Sequence, residues 1–96
     1  MITVKHHNAG ITISGHAGYA PHGQDIVCAG VSTLVQTLIQ SVEDLTDDAI
    51  EYTMEPGFVD IRQITRSDEG RVLFEAFMIG VEMIAGAYPH HVVIEK

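Results

Sequence analysis

Between Asp25 and Leu45 the chain places apolar side chains at Val27, Val31, Leu34, Val35, Leu38, Ile39, Val42 and Leu45. Three- and four-residue spacing sustained over that length makes a helix with an apolar stripe too wide to leave in water. A flat apolar surface has to cover it, and the flanking segments supply one. MITVKH alternates Ile2 and Val4 with Thr3 and Lys5, and GITISG repeats the period with Ile11 and Ile13 across a turn at Asn8-Ala9-Gly10. After Thr46-Asp47-Asp48 ends the helix, AIEYTM sets Ile50, Tyr52 and Met54 against Glu51 and Thr53. Pro56-Gly57 turns, and FVDIRQI returns with Val59 and Ile61. A second helix starts at Ser67, a capping hydroxyl ahead of Asp68 and Glu69. It carries Leu73, Phe77, Val81 and Ile84 on one side and exits at Gly86 and Pro89. HHVVIEK reads as a short final strand, its paired histidines as surface residues. The order ββ-α-ββ-α-β predicts an α+β fold, two helices packed on one face of a mostly antiparallel five-stranded sheet.

Ninety-six residues, 46% hydrophobic and 19% charged, fit one domain over 1–96 with a real core. No uninterrupted apolar run approaches the roughly 18 residues of a membrane span, and MITVKHHNAG lacks the apolar core of a signal peptide. One cysteine cannot form an internal disulfide, which fits a reducing cytoplasm. Thirteen acidic residues against five basic ones give a net charge of −8. Such a surface repels a phosphate backbone, so nucleic acid is not an expected partner, whereas a basic peptide or protein is attracted.

The segment between the first hairpin and the first helix, GHAGYAPHGQDIVCAG, holds the single thiol, two histidines and four glycines. Asp25 is placed as an N-cap, with Ile26 and Val27 anchoring the first turn in the core. Cys28 is then the third helical residue, where free amides and the helix dipole favour a thiolate, the nucleophilic form. Acyl transfer to a thiolate also needs a proton carrier, and imidazole suits the task. His16 ends a strand, whereas His22 sits in the loop between Pro21 and Gly23, so His16 is the better braced candidate.

Other readings of the same residues stay open at this point. A lone cysteine in an apolar helix also serves as a small buried hydrophobe, and Ser32 either hydrogen-bonds one turn beyond Cys28 or allows close packing. The loop containing Gly18, Tyr19, Pro21, His22 and Gly23 is a substrate lid with an aromatic contact at Tyr19, or an ordinary surface loop. A metal site at His16, His22, Asp25 and Cys28 matches no compact zinc spacing, so neither metal nor cofactor is expected.

Gly15-His16-Ala17, followed by Gly23-Gln24-Asp25-Ile26-Val27-Cys28-Ala29 and Ser32, closely resembles the pattern of the ribosomal-processing cysteine proteases, the Prp family. The likeness in element order extends over essentially the whole chain, although only the Gly15–Ser32 segment is specific. It implies a small cytoplasmic bacterial enzyme, often dimeric, that removes a short N-terminal extension from a large-subunit ribosomal protein, number twenty-seven. It implies that phage structural proteins are further substrates. On this resemblance Cys28 is the nucleophile and His16 its partner, Gly15 lets the backbone pass close to substrate, and Asp25 and Ser32 support the site. The expected partners are the basic N-terminal segment of a ribosomal protein and a second copy of the chain, with no nucleic acid and no membrane. A non-catalytic, ribosome-associated peptide-binding module of the same fold is the alternative, and a metal-binding or thiol-redox protein a more distant one.

Overall fold

A computed structural model describes residues 1–8 and 10–95 of the chain; the expected turn residue Ala9 and the end of the expected last strand at Lys96 lie outside the described residues. The elements are β1 (Ile2–His7), β2 (Gly10–Ser14), α1 (Ile26–Leu45), β3 (Ile50–Glu55), β4 (Phe58–Gln63), α2 (Asp68–Ala87) and β5 (Val92–Glu95). All five strands share one sheet in the order β3-β4-β2-β1-β5. Every pairing is antiparallel except that of β5 with β1. The expected α+β architecture, with two helices and a mostly antiparallel sheet, is the observed one.

The two-residue period of the strands sorts the sheet into an apolar face and a polar one. One row across the sheet reads Met54–Val59–Ile13–Val4–Ile94, and the adjacent row, pointing to the opposite face, reads Thr53–Asp60–Thr12–Lys5–Glu95. On the apolar side, Ile2, Val4, Ile11, Ile13, Ile61 and Val92 form one cluster with the buried seams of both helices. The α1 seam is Val27, Val31, Val35, Leu38, Ile39 and Val42. That of α2 is Gly70, Phe74, Phe77 and Val81. The cover stops short of the β3 edge, where Tyr52 and Met54 stay about half exposed.

Both helices start where their capping side chains predict. Asp25 caps α1, and the Ser67 hydroxyl accepts from Gly70 N to cap α2. With 20 residues and a mean hydropathy of 1.3 over its most apolar window, α1 meets the length and composition of a membrane span, even though no uninterrupted apolar run does. Its six-residue seam lies in the core against the sheet.

Four local readings need correction. Ile26 does not anchor the first turn: it is 59% exposed while Val27 is buried, because about 100° separates successive side chains on a helix. Leu45, at the helix end, is likewise exposed. In α2 Phe77 and Val81 are buried as expected, but Phe74 and Gly70 complete the seam, while Leu73 and Ile84 are only partly covered. The final strand begins at Val92, and His90 and His91 belong to the turn before it, closed by His91 N donating to Tyr88 O.

Candidate active site

The loop between β2 and α1 is built around Asp25. Its Oδ1 accepts from Val27 N at 3.0 Å and Cys28 N at 2.9 Å, and its Oδ2 accepts from Tyr19 N at 3.0 Å and Ala20 N at 3.4 Å. One carboxylate thus caps the helix and folds the loop back over its first turn. The Cys28 N–H foremost, joined by the amides of Tyr19, Ala20 and Val27, holds the Asp25 carboxyl below its ordinary value against an opposing push from desolvation. With both oxygens committed, Asp25 has nothing left with which to orient a histidine. Further along the loop, Gln24 N donates to Pro21 O across a tight turn whose third residue, Gly23, has φ +87°.

Cys28 sits at the third position of α1, partly exposed, and its Sγ accepts from Ala17 N at 3.3 Å. It faces two adjoining cavities. The outer one, about 600 Å³, runs under the loop and is lined by His16, Gly18, His22, Gly23 and Asp25 as well as Cys28 and Ser32. The inner one, about 400 Å³, lies between α1 and the β3–β4 hairpin, with Ile13, Val31, Val35, Met54 and Val59 as apolar walls. His16, His22, Cys28 and Ser32 line both. The cleft therefore sets a thiol and two imidazoles between mostly apolar walls, a shape suited to an extended peptide with an apolar side chain.

The residues singled out in the sequence fall into two groups. His16, Gly18, His22, Gly23, Asp25, Cys28 and Ser32 meet at the outer cavity, and Gly15 lines the inner one. Ser32 is exposed, so close packing is not its role. At Gly15 the close approach is to the chain itself: with φ +92° it leaves no room for a Cβ, which would overlap the Met1 carbonyl oxygen. Tyr19 and Pro21 line neither cavity. The Tyr19 ring instead packs edge-on against Tyr88 and His91, at centroid distances of 5.3 and 5.4 Å. Among the described residues no group of three or more His, Cys, Asp or Glu side chains could hold a metal ion.

Sequence reasoning missed two neighbours of this site. Gly57, in the β3–β4 turn, has φ +74°, and a Cβ there would come within 2.8 Å of His16 Nε2, so the imidazole rests directly on the glycine. The Gly57 carbonyl also accepts from Gly15 N at 2.8 Å, tying the hairpin to the residue before His16. Pro56-Gly57 signals a turn, and nothing local says what ring it supports. The second neighbour is His91, whose Nδ1 donates to Ala17 O at 2.9 Å.

Comparison with known proteins decides what this cleft belongs to. The family model described as "Cysteine protease Prp" matches residues 1–93. The chain belongs to the Prp family. The ribosomal processing cysteine protease Prp of Mycoplasma genitalium is 29% identical to it over 99 residues, covering 100% of this chain and 96% of that protein. The Prp of Staphylococcus aureus (strain Mu50) is 27% identical over 85 residues, covering 85% and 80%. Among solved structures, S. aureus Prp in complex with a covalently linked product peptide superposes with a TM-score of 0.92, covering 99% of this chain and 98% of that one at 23% identity, a likeness of fold. SMU.848 from Streptococcus mutans gives a TM-score of 0.78 at 30% identity, covering 98% and 90%. As a Prp-family member the protein is a cysteine protease, and the peptide-binding module without catalysis is set aside.

Proposed function

We propose that this Prp-family enzyme removes a short N-terminal extension from a large-subunit ribosomal protein, number twenty-seven, with Cys28 as nucleophile and His16 as general acid and base. The observation that carries the reading is that Cys28, on the first turn of α1, and His16, on its Gly57 rest, open onto the same cavities. The Cys28 thiolate attacks the scissile carbonyl carbon, and the C=O electron pair moves onto oxygen. The intermediate collapses, the C–N bond breaks, and the His16 imidazolium gives its proton to the departing amine. Water, deprotonated by His16, then attacks the thioester and releases the extension, restoring thiol and imidazole. Asp25 holds the helix start and loop in register, Ser32 lines the cleft beyond the nucleophile, and the loop from Gly18 to Gly23 covers the peptide.

The charge of −8 supports a basic substrate, because ribosomal proteins carry lysines near their N-termini and an acidic surface raises their encounter rate at low salt. Phage structural proteins whose termini imitate that sequence are substrates of the same cleft. The enzyme works in the cytoplasm, where ribosomal proteins are made, as a homodimer. An internally quenched peptide spanning the extension tests the reading: the parent cleaves it at one bond, more slowly as ionic strength rises, and Cys28→Ser does not cleave it. Cleavage by Cys28→Ser within about tenfold of the parent rate would overturn the assignment. Light scattering on a sizing column returns the dimer mass if the assembly is right, and the 10.5 kDa of one chain if it is not.

A further inference from the structure

The amide on the nucleophile's sulfur belongs to the loop, not to the helix. Val27 N and Cys28 N donate to Asp25 Oδ1, and Ala29 N donates to Asp25 O, so the first-turn amides nearest the thiol are spent. Cys28's own N–H is therefore closed to a developing oxyanion. The donor facing Sγ is Ala17 N, at 3.3 Å. An oxyanion formed on attack lies two bonds from that sulfur, so one N–H can serve the thiolate first and the oxyanion next. Ala17 is buried, and its carbonyl is held from the far end of the chain by His91 Nδ1, 74 residues away. A carbonyl only accepts, so Nδ1 carries the hydrogen.

His91 is itself firmly placed. Its backbone N donates to Tyr88 O, its carbonyl accepts from Ile2 N at the head of β1, and its ring meets Tyr19 edge-on. Resting on the reading of Cys28 as nucleophile, we propose that His91 is a positioning residue that pins the Ala17 carbonyl so that the Ala17 N–H stays aimed at the Cys28 sulfur. It touches no substrate and acts through the Ala17 backbone. The loop is then clamped from both sides, by Asp25 at Tyr19 and Ala20 and by His91 at Ala17.

Two substitutions separate the hydrogen bond from the ring. His91→Phe keeps an aromatic face for Tyr19 and loses the donor, whereas His91→Asn puts an amide N–H close to the Nδ1 position and loses the ring. Two readouts are taken on the full chain, the rate of Cys28 alkylation by iodoacetamide and kcat and KM on the extension peptide, with Tm as the check on folding. For His91→Phe we expect slower alkylation and a kcat down about tenfold or more, with KM within about twofold, as befits a displaced donor rather than a removed one. His91→Asn stays within about threefold of the parent on both readouts. Parental alkylation and kcat in His91→Phe would overturn the proposal, and so would equal losses in both variants, which would make the ring's packing the cause. Alkylation needs no substrate, so it judges His91 even if the parent fails to cut the peptide, an outcome that would count against the substrate reading instead.

Discussion

Two places in this molecule gather a histidine, a carboxylate and an oxygen or sulfur nucleophile, and the proposed reaction belongs to only one of them. On the polar face of the sheet, Thr12 Oγ1 donates to Asp60 Oδ1 at 3.0 Å and lies 3.4 Å from His7 Nε2, while Arg62 Nε donates to Asp60 Oδ2 at 3.0 Å. There the groups satisfy one another across three strands, and His7, Thr12 and Asp60 line neither cavity of the cleft. At the head of α1 the carboxylate is equally occupied, by four backbone amides. Cys28 accepts one amide hydrogen, and among the described residues the His16 ring has no hydrogen-bonding partner. The proposed chemistry thus falls where the scaffold is saturated and the candidate reacting groups are not.

The largest expected effect is at Cys28. Cys28→Ser should lower kcat on the extension peptide by about 10³-fold or more, the scale on which a nucleophile's loss is felt, with Tm nearly unchanged because the site is partly exposed. Residual cleavage within tenfold of the parent would erase the contrast with Thr12, whose hydroxyl is also close to a histidine. Next is Gly57→Ala. Its methyl group would strike the His16 ring, and φ +74° disfavours any side chain. We expect a kcat down by about tenfold or more, because small misplacements of a catalytic group are costly, together with about 1–2 kcal/mol of lost stability from the left-handed backbone. A loss of Tm with kcat intact would show that the imidazole does not need its rest.

Thr12→Val sharpens the comparison from the other side. Removing the hydroxyl deprives Asp60 of one hydrogen bond and should cost about 1 kcal/mol of stability, while kcat stays parental. Any specific loss of kcat would mean that the polar face of the sheet communicates with the cleft. Acid gives the smallest effect. For Asp60 burial pushes the carboxyl up, but the Arg62 guanidinium, the Thr12 hydroxyl and His7 together carry it below its ordinary value of 3.8. Asp25 is also held below 3.8, by backbone amides. A lowered carboxyl contributes stability that is whole above 3.8 and disappears as pH falls through the lower folded value. Tm should therefore hold steady from neutral pH down to about 5 and fall below 3.8, less steeply in Asp60→Asn. An acid limb as steep in the variant as in the parent would remove Asp60 from the account.

How much of this could be read from the sequence follows from the range of each interaction. The fold was legible because strand and helix periods are local: Ile2, Val4, Ile11 and Ile13 declare their face two residues at a time. The Asp25 cap, and hence the place of Cys28 on the first turn, was legible because it spans three residues. Ile26 was misjudged because its exposure depends on the direction from which the sheet arrives, not on its own hydrophobicity. Gly57 and His91 were out of reach, since a Pro-Gly turn and a His-His pair carry no local mark of the loop they touch. Tyr19, read as a possible substrate contact, is engaged by Tyr88 and His91 from the other end of the chain.

The central claim is that the unsaturated pair at the cleft, not the saturated cluster on the sheet, carries the reaction. Steady-state cleavage of the extension peptide by His16→Ala and His7→Ala, side by side with the parent, tests it most directly. Loss of a general acid and base should lower kcat by about 10²-fold or more in His16→Ala, with His7→Ala within about twofold of the parent. Parental kcat in His16→Ala, or an equal fall in His7→Ala, would contradict the account.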